Sequence, residues 1–385
     1  MEQIRYLHCI IDDKFIDGAI SLFESVLPFS NDYVFVKLKL TRKNQLVMVK
    51  SDKVRMISEA EFDGIVDNYD VIVLHSLFAL SLKMICSIPV KKKVIWFAWG
   101  YDLYRKRILD IDVYYPETKK TLRANYSIRD VLLYIRSIIR GGDCYLVDAM
   151  KRVDFFSGVF PYEFELLKNR FPFLKAKPLD FYYGSNNFFI PDRPEYTIIN
   201  QFNNVVIGNS NAPSNNHIDA LSYMKHLVVS DPGKVIIPLA YPHNTKYKNK
   251  VAKLAANIWG TERVLILDHL IPLDDYMDLV SNCKVAVYFH ERQQASDNVL
   301  MQLMFGAKVY MSESSLMFQY LKSLGLYIFS LQNDGESIND PLTSEAIIHN
   351  RILLSNLFSS TKLMERVRII NDIMVSSLNG EIETA

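Results

Sequence analysis

The sequence predicts an α/β protein built from two doubly wound domains, each a parallel sheet with helices on both faces. Short apolar runs alternate with longer amphipathic segments, which is the pattern of β-strands joined by crossover helices. The same alternation resumes in the second half, after a stretch rich in Pro, Gly and Asn. Polar loops follow several of the apolar runs, at the sheet edge where parallel sheets bind ligands.

The predicted elements follow in chain order. In the first half, residues 5–11, 33–40, 71–74, 93–98 and 155–159 are predicted strands, and residues 16–27, 77–87 and 128–139 are predicted helices. In the second half, the predicted strands are 204–208, 234–238, 264–267, 285–289 and 308–311. The helices predicted there are 217–228, 246–258, 273–281 and 298–305, followed by a helical stretch over 344–378.

The turn-rich stretch, residues 175–197, loses all periodicity and is predicted to contain the domain boundary. We place this boundary within residues 186–194. The predicted domains are therefore residues 1–188 and 189–385.

Composition excludes several classes of protein. The 44 Lys and Arg residues nearly balance the 43 Asp and Glu residues, giving a net charge of +1, which argues against a nucleic-acid-binding protein. The four cysteines are far apart and lack metal-ligand spacing, so no metal site is expected. The N-terminal residues are too polar for a signal peptide, and the longest apolar stretch contains His75 and Lys83. We therefore expect a cytosolic protein or one peripheral to a membrane.

The first candidate site follows a strand in the second half. An apolar run ends at Gly208 and leads into a loop of small polar residues that includes Asn209, Ser210 and Ser214. Gly208 would let the backbone approach a ligand closely. Ser214 or Asn215 would cap the next helix, whose N-terminal N–H groups attract phosphate. An ordinary capped loop is the alternative interpretation.

Two further strand ends carry candidate ligand-binding residues. A dense polar loop with Arg292, Gln293 and Gln294 precedes an apolar helix that contains Asn298. The Arg292 guanidinium would neutralise a diphosphate, and Ser296 or Asp297 would cap this helix. Tyr241, after another strand, is placed either to stack on a base or to pack within a turn.

In the first half, aromatic residues surround a carboxylate at the end of a strand. Trp99 and its aromatic neighbours would stack on a sugar ring, and Asp102 would act as a base or cap a helix. His75 ends another strand, and His8 and Asp13 lie near the end of the first strand. Each of these polar residues alone is more often structural, but together they indicate a site.

Residues 105–140 mix basic residues with aromatic and aliphatic ones. This composition suits a surface for anionic lipid or a prenyl diphosphate, and the alternative is a core helix with a solvated face. Its candidate membrane or acceptor residues are Arg123, Arg129 and Arg136, together with Trp99.

At these positions the chain resembles the TDP-N-acetylfucosamine:lipid II N-acetylfucosaminyltransferases of enterobacterial common antigen synthesis. The resemblance rests on short matches spread over most of the chain: Trp99-Gly100 with Asp102-Leu103-Tyr104, Gly208-Asn209-Ser210 with Ser214-Asn215 and His217-Ile218, and Pro238, Tyr241-Pro242 and Arg292-Gln293-Gln294. His8 with Asp13, and His75, match more weakly. Glu291 departs from the family pattern, in which an uncharged small residue is expected.

The resemblance implies a GT-B glycosyltransferase with two facing Rossmann-like domains and a cleft between them. It implies that residues 1–188 bind the acceptor and residues 189–385 bind the nucleotide sugar, with donor contacts on Gly208, Asn209, Ser210, Tyr241 and Arg292–Gln294. The implied reaction moves a 4-acetamido-4,6-dideoxyhexose from a dTDP carrier to an undecaprenyl-diphosphate-linked glycan. The expected enzyme is metal-independent, needs no cofactor beyond its donor substrate, and works on the inner face of the bacterial cytoplasmic membrane.

Three alternatives to this function stay open from the sequence. The first is a relative in O-antigen or capsule synthesis, including one that uses a UDP-sugar or GDP-sugar. The second is a non-catalytic sugar-nucleotide-binding partner in a polysaccharide assembly complex. The third is a two-domain epimerase, which would need no acceptor.

Overall fold

The computed structural model describes residues 3–38, 46–105, 107–123, 145–183, 203–227 and 233–380. Its helices are α1 (Ile16–Val26), α2 (Glu59–Ile65), α3 (Leu82–Ser87), α4 (Gly100–Leu103), α5 (Pro116–Arg123), α6 (Leu146–Arg152), α7 (Tyr162–Arg170), α8 (His217–Met224), α9 (Thr245–Trp259), α10 (Leu273–Ser281), α11 (Ser296–Phe305), α12 (Leu316–Ser323), α13 (Ser344–Phe358) and α14 (Ser360–Leu378). Short 3-10 turns lie at Val66–Asn68, Leu77–Ala79, Pro213–Asn215 and Gly335–Asn339.

The first sheet has seven parallel strands: β1 (Tyr6–Cys9), β2 (Asn31–Lys37), β3 (Val54–Ser58), β4 (Val71–Leu74), β5 (Lys93–Phe97), β6 (Phe155–Ser157) and β7 (Lys177–Pro178). Their spatial order is β3-β2-β1-β4-β5-β6-β7. The strand order therefore reverses between β1 and β4, which pair in parallel from Tyr6 with Val71 to Cys9 with Leu74. Such a reversal leaves a crevice at the carboxyl ends of the two strands, where doubly wound sheets bind ligands.

The second sheet repeats this plan with six parallel strands: β8 (Asn204–Ile207), β9 (Val235–Pro238), β10 (Val264–Leu267), β11 (Cys283–Tyr288), β12 (Lys308–Met311) and β13 (Phe329–Ser330). Their order is β10-β9-β8-β11-β12-β13. The reversal here lies between β8 and β11, which pair in parallel from Val205 with Val285 to Ile207 with Val287.

The central strands are apolar on both faces because helices cover both faces. In the first sheet, Leu7 and Val34 belong to the larger apolar cluster, whereas Tyr33 and Phe35 belong to a separate one that includes Ile16 and Ile20 of α1. Adjacent residues of a strand point to opposite faces. The strands therefore read as continuous apolar runs, as the sequence analysis assumed.

The described residues form two compact units. Unit 1 draws on Met1–Ile111, Ile128–Asn186 and Ser360–Ala385, and unit 2 draws on Asp112–Ser127 and Asn187–Ser359. The predicted boundary between residues 188 and 189 lies outside the described residues. The observed division differs from the predicted domains in two described segments, because α5 packs with unit 2 and α14 packs with unit 1.

The C-terminal segment explains one of these differences. The predicted helix over 344–378 is broken after Phe358, because Ser359 adopts extended backbone (φ −66°, ψ 156°). α14 then buries Leu363, Val367, Ile370 and Met374, at the spacing of one helical face. The Tyr6 hydroxyl of β1 donates to Asn371 Oδ1 at 3.0 Å, which ties this face to the first sheet.

Most predicted strands and helices are present, with shifted ends. The predicted helix 77–87 is divided into a 3-10 turn and α3, whose first turn is capped by the Ser81 side chain. The strands β3, β7 and β13 were not predicted: β7 and β13 have only two residues each, and β3 is an edge strand interrupted by Arg55. The predicted helix 128–139 lies outside the described residues. In the ranges that the structure covers, no helix is both long and apolar enough to cross a bilayer.

Ile369 and Ile370 provide a matched test of how α14 packs. Ile370 is 2% exposed and Ile369 is 49% exposed. Ile370→Ala is expected to lower the free energy of unfolding by about 2–5 kcal/mol, since it leaves a cavity in a packed core. Ile369→Ala is expected to change it by less than about 1 kcal/mol. Urea unfolding measures both, and equal losses would show that α14 does not dock through the Ile370 face.

Candidate functional site

The crevice between β8 and β11 collects most of the predicted ligand-binding residues. Gly208, Asn209, Ser210 and Ser214 follow β8, Tyr241 follows β9, and Arg292, Gln293 and Gln294 follow β11. Asn298 lies in the first turn of α11, directly after that last loop. The carboxyl ends of adjacent parallel strands meet at one edge, so these loops are neighbours.

Gly208 is required by the backbone at the end of β8. It adopts φ +69°, a conformation that residues with a Cβ rarely take. A Cβ built there would lie 2.3 Å from His217 Nε2. The Gly208 N–H still donates to the Val287 carbonyl at 2.8 Å, so the chain turns away while keeping its last bond to β11.

The loop after Gly208 is folded around the buried side chain of Asn215. Its amide nitrogen donates to the Ser210 carbonyl at 3.0 Å and to the Ala212 carbonyl at 3.2 Å, and its amide oxygen accepts the Asn209 N–H at 3.3 Å. Neither Ser214 nor Asn215 caps α8 as predicted. The helix instead begins after Asn216, which is in the left-handed region with φ 52° and supplies no side-chain cap.

Side chains join the three loops into one polar network. Ser214 Oγ donates to Gln294 Oε1 at 2.6 Å, and Gln294 Nε2 donates to Asn209 Oδ1 at 3.4 Å. The Asn211 side chain donates to the carbonyls of Pro242 and Asn244 at 3.0 and 3.1 Å. The loops after β8, β9 and β11 are therefore held in place before any ligand binds.

The N-terminus of α11 lies at the end of the β11 loop. Its N-cap is Ala295, with φ 58° and no side-chain cap, rather than the predicted Ser296 or Asp297. Gln293 Nε2 instead donates to Ser296 Oγ. A helix N-terminus without a side-chain cap presents N–H groups and partial positive charge to an anion.

The predicted binding residues Asn298 and Arg292 also have intramolecular partners. Asn298 Oδ1 accepts from the Tyr276 hydroxyl at 2.8 Å, and one Arg292 nitrogen donates to the Gln293 carbonyl at 3.4 Å. Tyr241, whose carbonyl accepts the Asn211 N–H at 2.6 Å, is 39% exposed.

A segment from the first half of the chain, not predicted from the sequence, docks onto these loops. The Tyr115 hydroxyl contacts Glu291 Oε2, Ser312 Oγ and Ser314 Oγ. Its N–H donates to Asn216 Oδ1 at 3.0 Å. No signal in the sequence places residues 113–118 beside Glu291, because the contact spans well over one hundred residues.

Asp219 completes the docking of this segment. Its two carboxylate oxygens accept the N–H groups of Glu117 and Thr118, each at 2.9 Å. Asp219 thus caps the N-terminus of α5 from another helix. The carboxylate at Glu291, where the family pattern has an uncharged residue, likewise has a partner within this unit.

In the first unit, His8 and His75 meet at the crevice between β1 and β4. His8 Nδ1 lies 2.9 Å from His75 Nε2, and both side chains are fully buried. Burial lowers the pKa of His8 to about 4 and holds the pKa of His75 well below its usual range. Both imidazoles are therefore neutral at pH 7, and neither reaches solvent.

Asp102 is also fully buried, and its contacts match the helix-capping interpretation. Its oxygens accept four hydrogen bonds, from the N–H groups of Leu77, Trp99 and Leu103 and from the Trp96 indole, at 2.7–3.0 Å. Burial raises the pKa of Asp102, and these hydrogen bonds oppose that effect. The carboxylate joins the loop after β4 to the start of α4.

Asp13 is the half-buried carboxylate at the end of β1. It accepts the Phe15 N–H at 3.1 Å, and burial raises its pKa. The Phe15 ring stacks on Trp99, with ring centres 4.9 Å apart and planes within 6°. Of the four first-half candidates, Asp13 alone combines partial exposure with a titratable group.

The predicted basic surface is described only at its start. Arg123 is exposed at the C-terminal end of α5, and Arg129 and Arg136 lie outside the described residues. Within the described ranges, no three His, Cys, Asp or Glu side chains are grouped as metal ligands.

Asp102→Asn separates a structural from a catalytic carboxylate. An amide nitrogen cannot accept, so two of the four donors lose their acceptor, and the free energy of unfolding is expected to fall by about 2–4 kcal/mol. Asp148→Asn, whose side chain is 65% exposed, is the control and should unfold like the wild type. An Asp102→Asn variant with wild-type stability and no turnover would make Asp102 catalytic.

Comparisons with known proteins match both the segment that carries the loops of the second sheet and the fold of the whole chain. Residues 189–351 match the family model described as 4-alpha-L-fucosyltransferase, glycosyl transferase group 56, and this segment contains the loops after β8, β9 and β11. A glycosyltransferase from Rickettsia africae superposes with a TM-score of 0.62 at 10% identity, covering 97% of this chain and 99% of that chain. Anabaena HepE in complex with UDP and glucose gives 0.62 at 9% identity, covering 96% and 100%.

A third solved structure, α,α-trehalose 6-phosphate synthase from Burkholderia multivorans, gives a TM-score of 0.53 at 9% identity, covering 98% of this chain and 97% of that chain. At these identities the structures show the fold alone. Together with the family match, they identify the chain as a glycosyltransferase of the GT-B fold and confirm its resemblance to the family of the common antigen fucosaminyltransferase.

Proposed function

We propose that the enzyme transfers a 4-acetamido-4,6-dideoxyhexose from a dTDP carrier to an undecaprenyl-diphosphate-linked glycan in bacterial surface polysaccharide synthesis. The observation that carries the donor half of this proposal is the N-terminus of α11. It lacks a side-chain cap and lies beside Arg292, at the strand reversal of the second sheet. Such a site suits the diphosphate of a nucleotide sugar.

The donor contacts follow from the loops around that helix. Gly208 allows the backbone to approach the ligand, and Asn209, Ser210 and the Arg292–Gln294 segment line the same edge. Tyr241, which is 39% exposed, is placed to stack on the base. HepE binds UDP, so a uracil or thymine nucleotide is a chemically consistent donor, and the choice of dTDP rests on the sequence resemblance.

The leaving diphosphate is stabilised by protein groups in this proposal. When the bond between the sugar and the diphosphate breaks, negative charge grows on the bridging oxygen. The N–H groups of the first turn of α11 and the Arg292 guanidinium are positive groups that counter this charge. The reaction then needs no metal ion.

The acceptor base in this proposal is Asp13. A base must be reachable by substrate and able to take a proton from the attacking hydroxyl. Asp102, His8 and His75 are fully buried, whereas Asp13 is half-buried with a raised pKa. The proton leaves the acceptor hydroxyl for Asp13 as the oxygen attacks the anomeric carbon.

The lipid-linked acceptor and the inner membrane surface are proposed from the basic residues. Lys120 and Arg123 are exposed on α5, and Arg129 and Arg136 follow in the sequence. Anionic lipid headgroups and a polyprenyl diphosphate attract such groups.

Nucleotide binding tests the donor site. We expect dTDP to raise the melting temperature more than UDP, GDP, CDP or CMP does, because a ligand bound only by the folded state stabilises it. Arg292→Gln should abolish most of this shift. Arg263→Gln, which precedes β10 at the opposite edge of the same sheet, should retain it. A larger shift with UDP or GDP would keep the transferase but change its donor, and no shift at all would contradict the donor site.

Turnover by Asp13→Asn tests the base. The variant is expected to lose about 10²–10⁴-fold in kcat with an unchanged fold. The wild-type rate should fall as the pH drops through the raised pKa of Asp13, because only the carboxylate accepts a proton, and the variant should lack this acid limb. Asp63→Asn, on the exposed face of α2, is the control. Wild-type turnover by Asp13→Asn would exclude Asp13 as the base.

A further inference from the structure

The rings of Phe15 and Trp99 form a half-buried aromatic pair at the edge of the first sheet. Their centres are 4.9 Å apart and their planes are within 6°. Asp13 accepts the Phe15 N–H at 3.1 Å, and the Lys14 ammonium lies 4.9 Å from the Phe15 ring centre. The Lys14 ammonium therefore lies over one face of the Phe15 ring and Trp99 covers the other. The outer face of the half-buried Trp99 ring, with the Asp13 acceptor near it, is the aromatic surface that this pair offers a ligand.

A chain of hydrogen bonds leads from this pair through the buried His75 and His8. The Trp99 indole N–H meets the Tyr183 hydroxyl at 3.2 Å, and that hydroxyl lies 2.5 Å from His75 Nδ1. His75 Nε2 lies 2.9 Å from His8 Nδ1, and His8 Nε2 lies 3.1 Å from Asn31 Oδ1. We call these five residues the relay.

The direction of every hydrogen bond in the relay is fixed by its two ends. Asn31 Nδ2 donates to the Leu27 carbonyl at 2.8 Å, so Asn31 Oδ1 faces His8 as an acceptor. His8 must then donate from Nε2 and accept at Nδ1, and His75 must do the same. Tyr183 therefore donates to His75 and accepts from Trp99, whose indole can only donate.

This directed chain requires both imidazoles to stay neutral. A doubly protonated His8 or His75 would present two donors and break the sequence of bonds. The surrounding rings of Phe23, Tyr33 and Phe97 exclude water and favour the neutral forms. The relay thus holds the Trp99 indole, at its outer end, in one orientation.

We propose that the outer face of Trp99, backed by the Phe15 ring and with Asp13 near it, binds the pyranose ring of the acceptor, and that Tyr183 positions the Trp99 indole for this role. A pyranose has an apolar face of C–H groups and an edge of hydroxyls, which matches an aromatic ring face near a carboxylate acceptor. The inference rests on the proposed function, because it assigns the sugar to the site whose carboxylate would deprotonate it.

Tyr183 acts through Trp99 and touches no substrate in this account. Removing its hydroxyl breaks the relay at both of its bonds while leaving the ring in place. Trp99→Phe removes the other half of the same hydrogen bond. The two changes should therefore weaken acceptor binding through one shared interaction.

Indole NMR tests sugar binding without any turnover. The chain has three tryptophans, so ¹⁵N-tryptophan labelling gives three indole signals, which Trp99→Phe and Trp259→Phe assign. Methyl 2-acetamido-2-deoxy-β-D-glucopyranoside is expected to shift the Trp99 signal, whereas D-mannitol, an acyclic polyol, is not. The Trp96 signal should not move, because its buried indole N–H donates to Asp102. An unmoved Trp99 signal would overturn the inference.

Kinetics tests the positioning role. Tyr183→Phe is expected to raise the acceptor KM about 3–10-fold, the worth of one hydrogen bond, with kcat and the donor KM within twofold of wild type. Tyr182→Phe is the control, since the Tyr182 and Trp99 ring centres are 6.4 Å apart but Tyr182 lies outside the relay. The double variant of Tyr183→Phe and Trp99→Phe should have the same acceptor KM as Trp99→Phe alone. Additive losses, or an unchanged acceptor KM, would contradict the positioning role.

The outcomes separate this inference from the proposed function. A sugar-induced Trp99 shift without transfer to any lipid-linked glycan would support the inference and contradict the function. A nucleotide-induced melting shift with no Trp99 response would retain the donor site and overturn the inference.

Discussion

The proposed donor site at the edge of the second sheet depends on the hydrogen bond between the Gly208 N–H and the Val287 carbonyl. It keeps β8 paired with β11 to the last residue of the strand, while the left-handed backbone of Gly208 sends the chain over the sheet edge. Everything in the following loop is then placed by short-range contacts, above all those of Asn215. Because the imidazole of His217 fills the space beside Gly208, no residue with a Cβ fits at this position.

The two units use the same strand order for different chemistry. At the reversal of the second sheet, the strand ends lead into polar loops and a helix N-terminus that lacks a side-chain cap. At the reversal of the first sheet, the space is filled by two neutral histidines among aromatic rings. A diphosphate needs positive groups at the strand ends, whereas a sugar ring needs a fixed apolar surface. The residues at each reversal therefore follow the charge of the proposed ligand.

The sequence predicted the two parallel sheets because their central strands are buried on both faces and read as unbroken apolar runs. It also located the loops after β8 and β11, since a glycine or a polar run directly follows each strand. It left the role of Asp102 open between a base and a helix cap, because a buried carboxylate and a catalytic one have the same local sequence. It did not predict the pairing of His8 with His75, because the two residues lie on different strands. Asn215 was expected to cap a helix, but only the folded loop shows that its amide bonds backward to Ser210.

The longest-range feature was the least predictable one. Tyr115 and the N–H groups of Glu117 and Thr118 come from the first half of the sequence, yet they bind Glu291 and Asp219 of the second. If the second half were considered alone, Asp219 would lose the N–H groups of Glu117 and Thr118, whereas Glu291 would keep Ser314 Oγ. A buried carboxylate that loses its donors costs stability. The compact unit that carries the proposed donor site is therefore not continuous in sequence. The carboxylate of Glu291, which departs from the family pattern, is explained by the tyrosine that it holds.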